Sequence, residues 1–188
     1  MTGSSANELV GYLETKGLKV NIITMGAVYA GGGLDTGEIH GSVCTLKGLY
    51  NGKNKILRLI FSLLEGWLLA RKAFSLPVSV VVCLTDPPLL NFWVARASLS
   101  KSIPWIYWSM DLYPDAFVSN GLISRKNFFY RTVIRCLRRN PPSGLISLGS
   151  NQAKYLNDIF SSIAYNIILP SGIHKMRENL DTPNWKDN

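Results

Sequence analysis

Four short apolar runs recur between segments of helical periodicity: VSVVVCL (78–84), WIYW (105–108), GLISL (144–148) and NIIL (166–169). This alternation constrains the fold more than anything else in the chain. A run of that kind has no polar side to turn toward water, so it suits a strand covered on both faces, as in a parallel sheet flanked by helices. The segments 89–100, 126–139 and 151–160 predict the intervening helices. Nearer the start, residues 5–16 predict a helix closed by Gly17 and followed by a strand in LKVNIITM (18–25). A glycine-rich connection (26–37), a short strand near 42–46 and a helix over 55–74 complete the series. The fold class that follows is α/β, a Rossmann-like, doubly wound, mostly parallel sheet. Apolar periodicity fades past Gly172, which predicts one domain over 1–172 and a loose tail over 173–188. One element is out of order: the chain opens on a helix, where such a sheet normally begins with a central strand. The expectation is a sheet that lacks its first strand.

Composition narrows the partners. At 47% hydrophobic and 17% charged residues, the 188-residue chain is too apolar for intrinsic disorder. Its net charge of +8 favours something anionic: phospholipid, nucleic acid or a phosphorylated substrate. Nucleic acid is disfavoured, because the aromatics cluster in strand-like runs instead of alternating with basic residues. Cys44, Cys83 and Cys136 form no CxxC pair, and His40 and His174 are isolated, so spacing assembles neither a metal site nor a disulfide framework. The opening MTGSSANELV lacks the basic start and apolar stretch of a secretory leader, which makes a cytoplasmic location the expectation. The most apolar stretch, 56–70, is interrupted by Arg58, Glu65 and Gly66 and falls short of the about 20 clean residues a spanning helix needs. Its flanks are basic, with Lys55 and Arg58 on one side and Arg71 and Lys72 on the other. Leu59, Leu63, Trp67 and Ala70 form one helical stripe. That stripe suits either a membrane interface or plain packing against a sheet.

In an open parallel sheet, ligands gather beyond the carboxyl ends of the strands. Four segments should meet there. Gly3, Ser4, Ser5 and Asn7 stand at the N-terminus of the first predicted helix, where free amides and the helix dipole favour an anion, or where a serine simply caps. Asp86 follows the VVVCL run and either lines the crevice or caps the next helix. Asp111 and Asp115, in SMDLYPDAF, offer two carboxylates at a strand end, suited to acid–base work, to gripping sugar hydroxyls or to closing a turn. Gly149 and Ser150 again put small residues before a helix. Arg131, Arg135 and Arg138, with Arg139, lie along one side of a helix, as a solvated face or a site for a phosphate-rich partner.

Taken in order, GSSANELVGYLETKGLKVNIIT, VVVCLTDPPLL, IPWIYWSMDLYPDAFVSNGLI, GLISLGSNQAKYL and NIILPSGI resemble the N-terminal, acceptor-side domain of family 4 glycosyltransferases. The loop DLYPDAFVSNGL is the sharpest part of the likeness. The resemblance implies the GT-B architecture, two Rossmann-like domains with the active site between them, and transfer of a sugar from a nucleotide-sugar to a saccharide or lipid-linked acceptor. It implies no metal cofactor; the nucleotide-sugar is a co-substrate. By position, Gly3 to Ser5 match the family's glycine-containing loop, and Asp111 matches the aspartate of its HD or RD pair. Met110 departs from that pair's histidine or arginine. The donor-binding half has no counterpart in this sequence, so the resemblance implies a partner domain or subunit and little activity for this half alone; the alternative is a non-catalytic remnant or binding module that associates with a membrane or a partner subunit. The resemblance also implies peripheral contact with an anionic membrane surface through the basic helices.

Overall fold

The structure, a computed structural model, describes residues 2–26, 40–50, 54–160 and 163–169. The glycine-rich connection expected over 26–37 and the tail expected over 173–188 lie outside the described residues, apart from Gly26. The elements run α1 (Thr2–Thr15), β1 (Asn21–Gly26), β2 (Ser42–Lys47), α2 (Lys55–Ala73), β3 (Val81–Cys83) and α3 (Leu90–Lys101). They continue β4 (Trp105–Ser109), α4 (Asp115–Ser119), α5 (Phe128–Arg139), β5 (Gly144–Ser147), α6 (Ser150–Phe160) and β6 (Tyr165–Ile168). Every strand pairing is parallel. The chain is therefore an α/β protein with parallel sheets, compatible with a Rossmann-like fold.

The strands divide into two sheets, β1 with β2, and β3-β4-β5-β6 in sequence order. A single sheet was expected. Among the described residues no strand joins β1 to β3, and each keeps one edge without a partner. The two sheets nevertheless share a core, because Ile23 and Met25 of β1 and Leu46 of β2 pack against the main buried cluster.

That cluster lies between the four-stranded sheet and a helical layer in which α2 packs on α3, α3 on α5 and α5 on α6. Cys83, Trp105, Tyr107 and Leu145 enter it from the strands, and Leu69, Val94, Val133 and Leu156 from the helices. Central β4 is almost wholly buried, as its sequence requires. The edges are not: Val82 of β3 is 37% exposed and Ile167 of β6 is 57% exposed. A continuous apolar run thus does not mean two covered faces at a sheet edge. The strand expected over 78–84 shrinks to three residues, and among the described residues β4 is the only strand it pairs with.

One local reading is corrected and one that the sequence left open is decided. Helix α1 starts at Thr2, so Gly3, Ser4 and Ser5 lie inside its first turn and not in a loop ahead of it. First-turn amides have no intrahelical partner in any case, so poor helix formers cost least there. The other end follows the sequence: Gly17 takes φ 78°, its amide bonds the Glu14 carbonyl at 2.9 Å and the Leu18 amide bonds that of Leu13 at 3.1 Å. This left-handed closure leaves few carbonyls unsatisfied. The second concerns α2. Leu59 and Leu63 pack toward the core and Ala70 is buried, so of the two roles open to this stripe most of it takes the packing one and only its Trp67 remains exposed. Among the described residues no helix is long and apolar enough to cross a membrane.

Candidate functional site

The carboxyl ends of β4 and β5 open onto a cleft of about 610 Å³. Asp111, Asp115, Gly149 and Ser150 all line it, so four of the sequence-derived candidates meet in one place. Three features fix its floor.

The first is Thr85, buried just past β3. Its Oγ1 accepts the amides of Met110 at 2.8 Å and Asp111 at 3.3 Å and donates to the Trp108 carbonyl at 3.3 Å. One hydroxyl therefore sets the course of the backbone as it leaves β4. The second is Tyr107, whose hydroxyl donates to the Asp111 carbonyl at 3.2 Å and receives the Asn91 side-chain amide at 3.3 Å. Burial pushes this phenol's pKa well above its ordinary value, so it stays a donor at any physiological pH. The third is Gln152 on α6, which accepts the Leu148 amide at 2.7 Å and donates to Ser109 at 3.3 Å, tying the ends of β4 and β5 together.

The two loop carboxylates have separate fates. Asp115 is the first residue of α4 and is turned inward, with only 11% of its side chain exposed. Its Oδ1 accepts from Arg125 at 3.2 Å and from the Tyr130 hydroxyl at 3.0 Å, and Tyr155 also bonds it. Burial first, then contact with this carboxylate, raises the pKa of Tyr155; burial leads for Tyr130 as well. Asp115 thus fastens α4, α5 and α6 to one another. Asp111 is exposed at the rim, and among the described residues no hydrogen bond or ion pair engages its carboxylate. Opposite it the N-terminus of α6 carries backbone amides that point out of the helix, Gly149 accepting only the Ala153 amide at 3.0 Å. The cleft therefore combines a free hydrogen-bond acceptor with a positively polarised helix end, which suits a polyhydroxyl ligand bearing an anionic group.

The remaining candidates stand elsewhere. Asp86 is exposed and lies near enough to Tyr113 to raise that phenol's pKa, after burial and Asp111. It does not cap α3, whose N-cap is Leu89 at φ 63°. Asn7 accepts the His40 amide at 2.9 Å and so joins α1 to the start of β2. Neither Asp86 nor Asn7 lines the cleft. Arg131 and Arg135 are exposed on α5, whereas Arg138 donates to the Ile159 carbonyl at 3.3 Å between α5 and α6. Lys55 and Arg58 belong to the first turns of α2. Among the described residues no group of three His, Cys, Asp or Glu could hold a metal ion. Thr85, Asn91, Gln152, Tyr130 and Tyr155 carry the site's geometry without having stood out in the sequence; only the position of Thr85, directly before Asp86, gave a local signal. The chain matches no protein-family model, and no curated protein matches it.

Proposed function

We propose that this chain is the acceptor-side domain of a family 4-like glycosyltransferase of GT-B architecture. Such a domain works with a donor-binding half supplied by a further segment or subunit. The observation that carries the proposal is the exposed Asp111 carboxylate in the loop just past β4, lining one cleft with Gly149, Ser150 and the N-terminus of α6. Asp111 would hold an acceptor hydroxyl by accepting its proton in a hydrogen bond, and the α6 amides would hold a phosphate of the acceptor or donor. Most of the rate would then come from positioning and from stabilising the departing diphosphate. The nucleotide-sugar is a co-substrate, and no step calls for a metal. The division of the parallel strands into two sheets also supports this reading, since one added strand between β1 and β3 would give the continuous sheet of a GT-B domain.

The test begins with the DNA on both sides of the reading frame, translated for a preceding strand and a following donor-binding domain. The joined protein should transfer sugar from at least one nucleotide-sugar, and Asp111→Asn should lower its kcat by about 10²-fold or more. Transfer by the 188-residue chain alone would overturn the half-enzyme reading. A joined, folded protein inactive on every donor would overturn sugar transfer itself.

A further inference from the structure

Along α2 the outward residues Leu57, Ile60 and Leu64 are apolar, and the stripe they form ends at Trp67 and Arg71. There a groove of about 450 Å³ opens between α2 and α3. Trp67 and Arg71 wall it from α2, and Trp93, Arg96 and Lys101 wall it from α3. Lys101 stands four residues before β4 begins, so the groove belongs to the amino end of the sheet, away from the cleft.

The charge of the groove is one-sided. Arg71, Arg96 and Lys101 are exposed, and among the described residues no carboxylate pairs with any of them. Helices α2, α3 and α5 carry a single carboxylate, Glu65, which is occupied in accepting the Leu49 amide at 2.9 Å. A helix C-terminus favours a cation, which accounts for Arg71 and Lys101 one at a time. It accounts neither for Arg96, in the middle of α3, nor for the two indoles alongside. Both guanidiniums are held by aromatic faces, Arg71 over Trp67 at 5.4 Å from its centroid and Arg96 over Phe92 at 5.9 Å. Trp93 is wedged in place: it stands edge-on to Phe92 with centroids 5.0 Å apart, and a Cβ on Gly66 of α2 would meet its ring at 3.1 Å. The groove is therefore a preformed aromatic slot with three unpaired cations at its rim. We infer that it is a second binding site, for a soluble aromatic phosphate. A flat ring lies against Trp67 and Trp93, and the phosphate lies among Arg71, Arg96 and Lys101. The volume falls within the about 300–1,000 Å³ usual for small-molecule sites, which suits one such ligand. The inference does not depend on what the cleft binds.

The test is isothermal titration calorimetry of the full chain with naphthyl phosphate, against inorganic phosphate and naphthol, in low salt. The expected result is one-to-one binding of naphthyl phosphate, about tenfold or more tighter than either fragment, and lost in molar salt. Trp67→Ala, and the pair Arg96→Gln with Lys101→Gln, should each weaken it by about tenfold. All three side chains are exposed, so the far-ultraviolet circular dichroism should not change. No binding of naphthyl phosphate, equal binding of naphthol or of inorganic phosphate, or indifference to both sets of substitutions would overturn the inference. So would a chain that ignores naphthyl phosphate yet sediments with vesicles of phosphatidylglycerol, since the cations would then read a lipid surface and not a soluble ligand.

Discussion

Thr85→Val is the sharpest probe of how the site is held. Valine keeps the β-branched shape and volume of threonine and removes only the hydroxyl, so packing around this 6% exposed position should persist. What is lost is the acceptor for two backbone amides, Met110 at 2.8 Å and Asp111 at 3.3 Å, and the donor to the Trp108 carbonyl. Asp111 is exposed, so water can replace the longer bond; Met110 is half-buried, and its short bond is the one that matters. Leaving one such donor unsatisfied costs about 1–3 kcal/mol, which makes about 2 kcal/mol the expectation for the variant. In a chain of this size that corresponds to a fall in Tm of about 4–8 °C. Urea denaturation should show a lower midpoint at an unchanged slope, because no surface is newly exposed. Thr85→Ser retains the hydroxyl and removes one methyl, for which about 1 kcal/mol is the ceiling. If Thr85→Val lies within about 0.5 kcal/mol of the parent, or costs no more than Thr85→Ser, the hydroxyl does not fix the start of the loop and the account given for Asp111's position fails.

Four further outcomes follow from the same geometry. Tyr130→Phe and Tyr155→Phe should each destabilise by about 1 kcal/mol, and the double variant should depart from additivity, since both hydroxyls serve the Asp115 carboxylate; a double-mutant cycle that sums within error would refute the shared network. Burial raises the pKa of Cys83 and Tyr107 above their ordinary values of 9.0 and 10.0, so the folded state holds these protons while the unfolded chain releases them as pH climbs. Stability should therefore be level below about pH 9 and fall above it, a slope that denaturation series from pH 7 to 11 would reveal or deny. The thiols give a companion readout: in the native protein Ellman's reagent should spare Cys83, 2% exposed, until denaturant is added, and prompt labelling at Cys83 would contradict its burial. Gly149→Ala adds a Cβ that meets nothing within 4 Å, so it should cost only the about 1 kcal/mol by which an N-cap disfavours alanine, read as a small fall in melting temperature, and serve as a steric probe of the cleft.

How much of this was legible beforehand depended on whether a signal was local. Trp105–Ser109 and Gly144–Ser147 were readable because a strand in mid-sheet must be apolar on both sides, and their neighbours in sequence supply the helices that cover them. The exposure of Val82 and Ile167 was not, because what makes a strand an edge is the absence of a neighbour, which no residue of the strand itself encodes. On α2 the chain is apolar enough that two stripes compete, and periodicity alone picked the one the core had claimed. The loop carboxylates show the same limit at the site. Asp111 and Asp115 are four residues apart and chemically identical, yet one is free, exposed in the loop two residues past β4, and the other is bound because Tyr130 and Tyr155 reach it from two later helices. Those partners lie 15 and 40 positions downstream, beyond any spacing rule. The consequence is experimental: removing Asp115 would loosen α4, α5 and α6 together and confuse a folding defect with a lost function. Asp111, unbonded at the rim, is the carboxylate whose substitution reports on ligand alone.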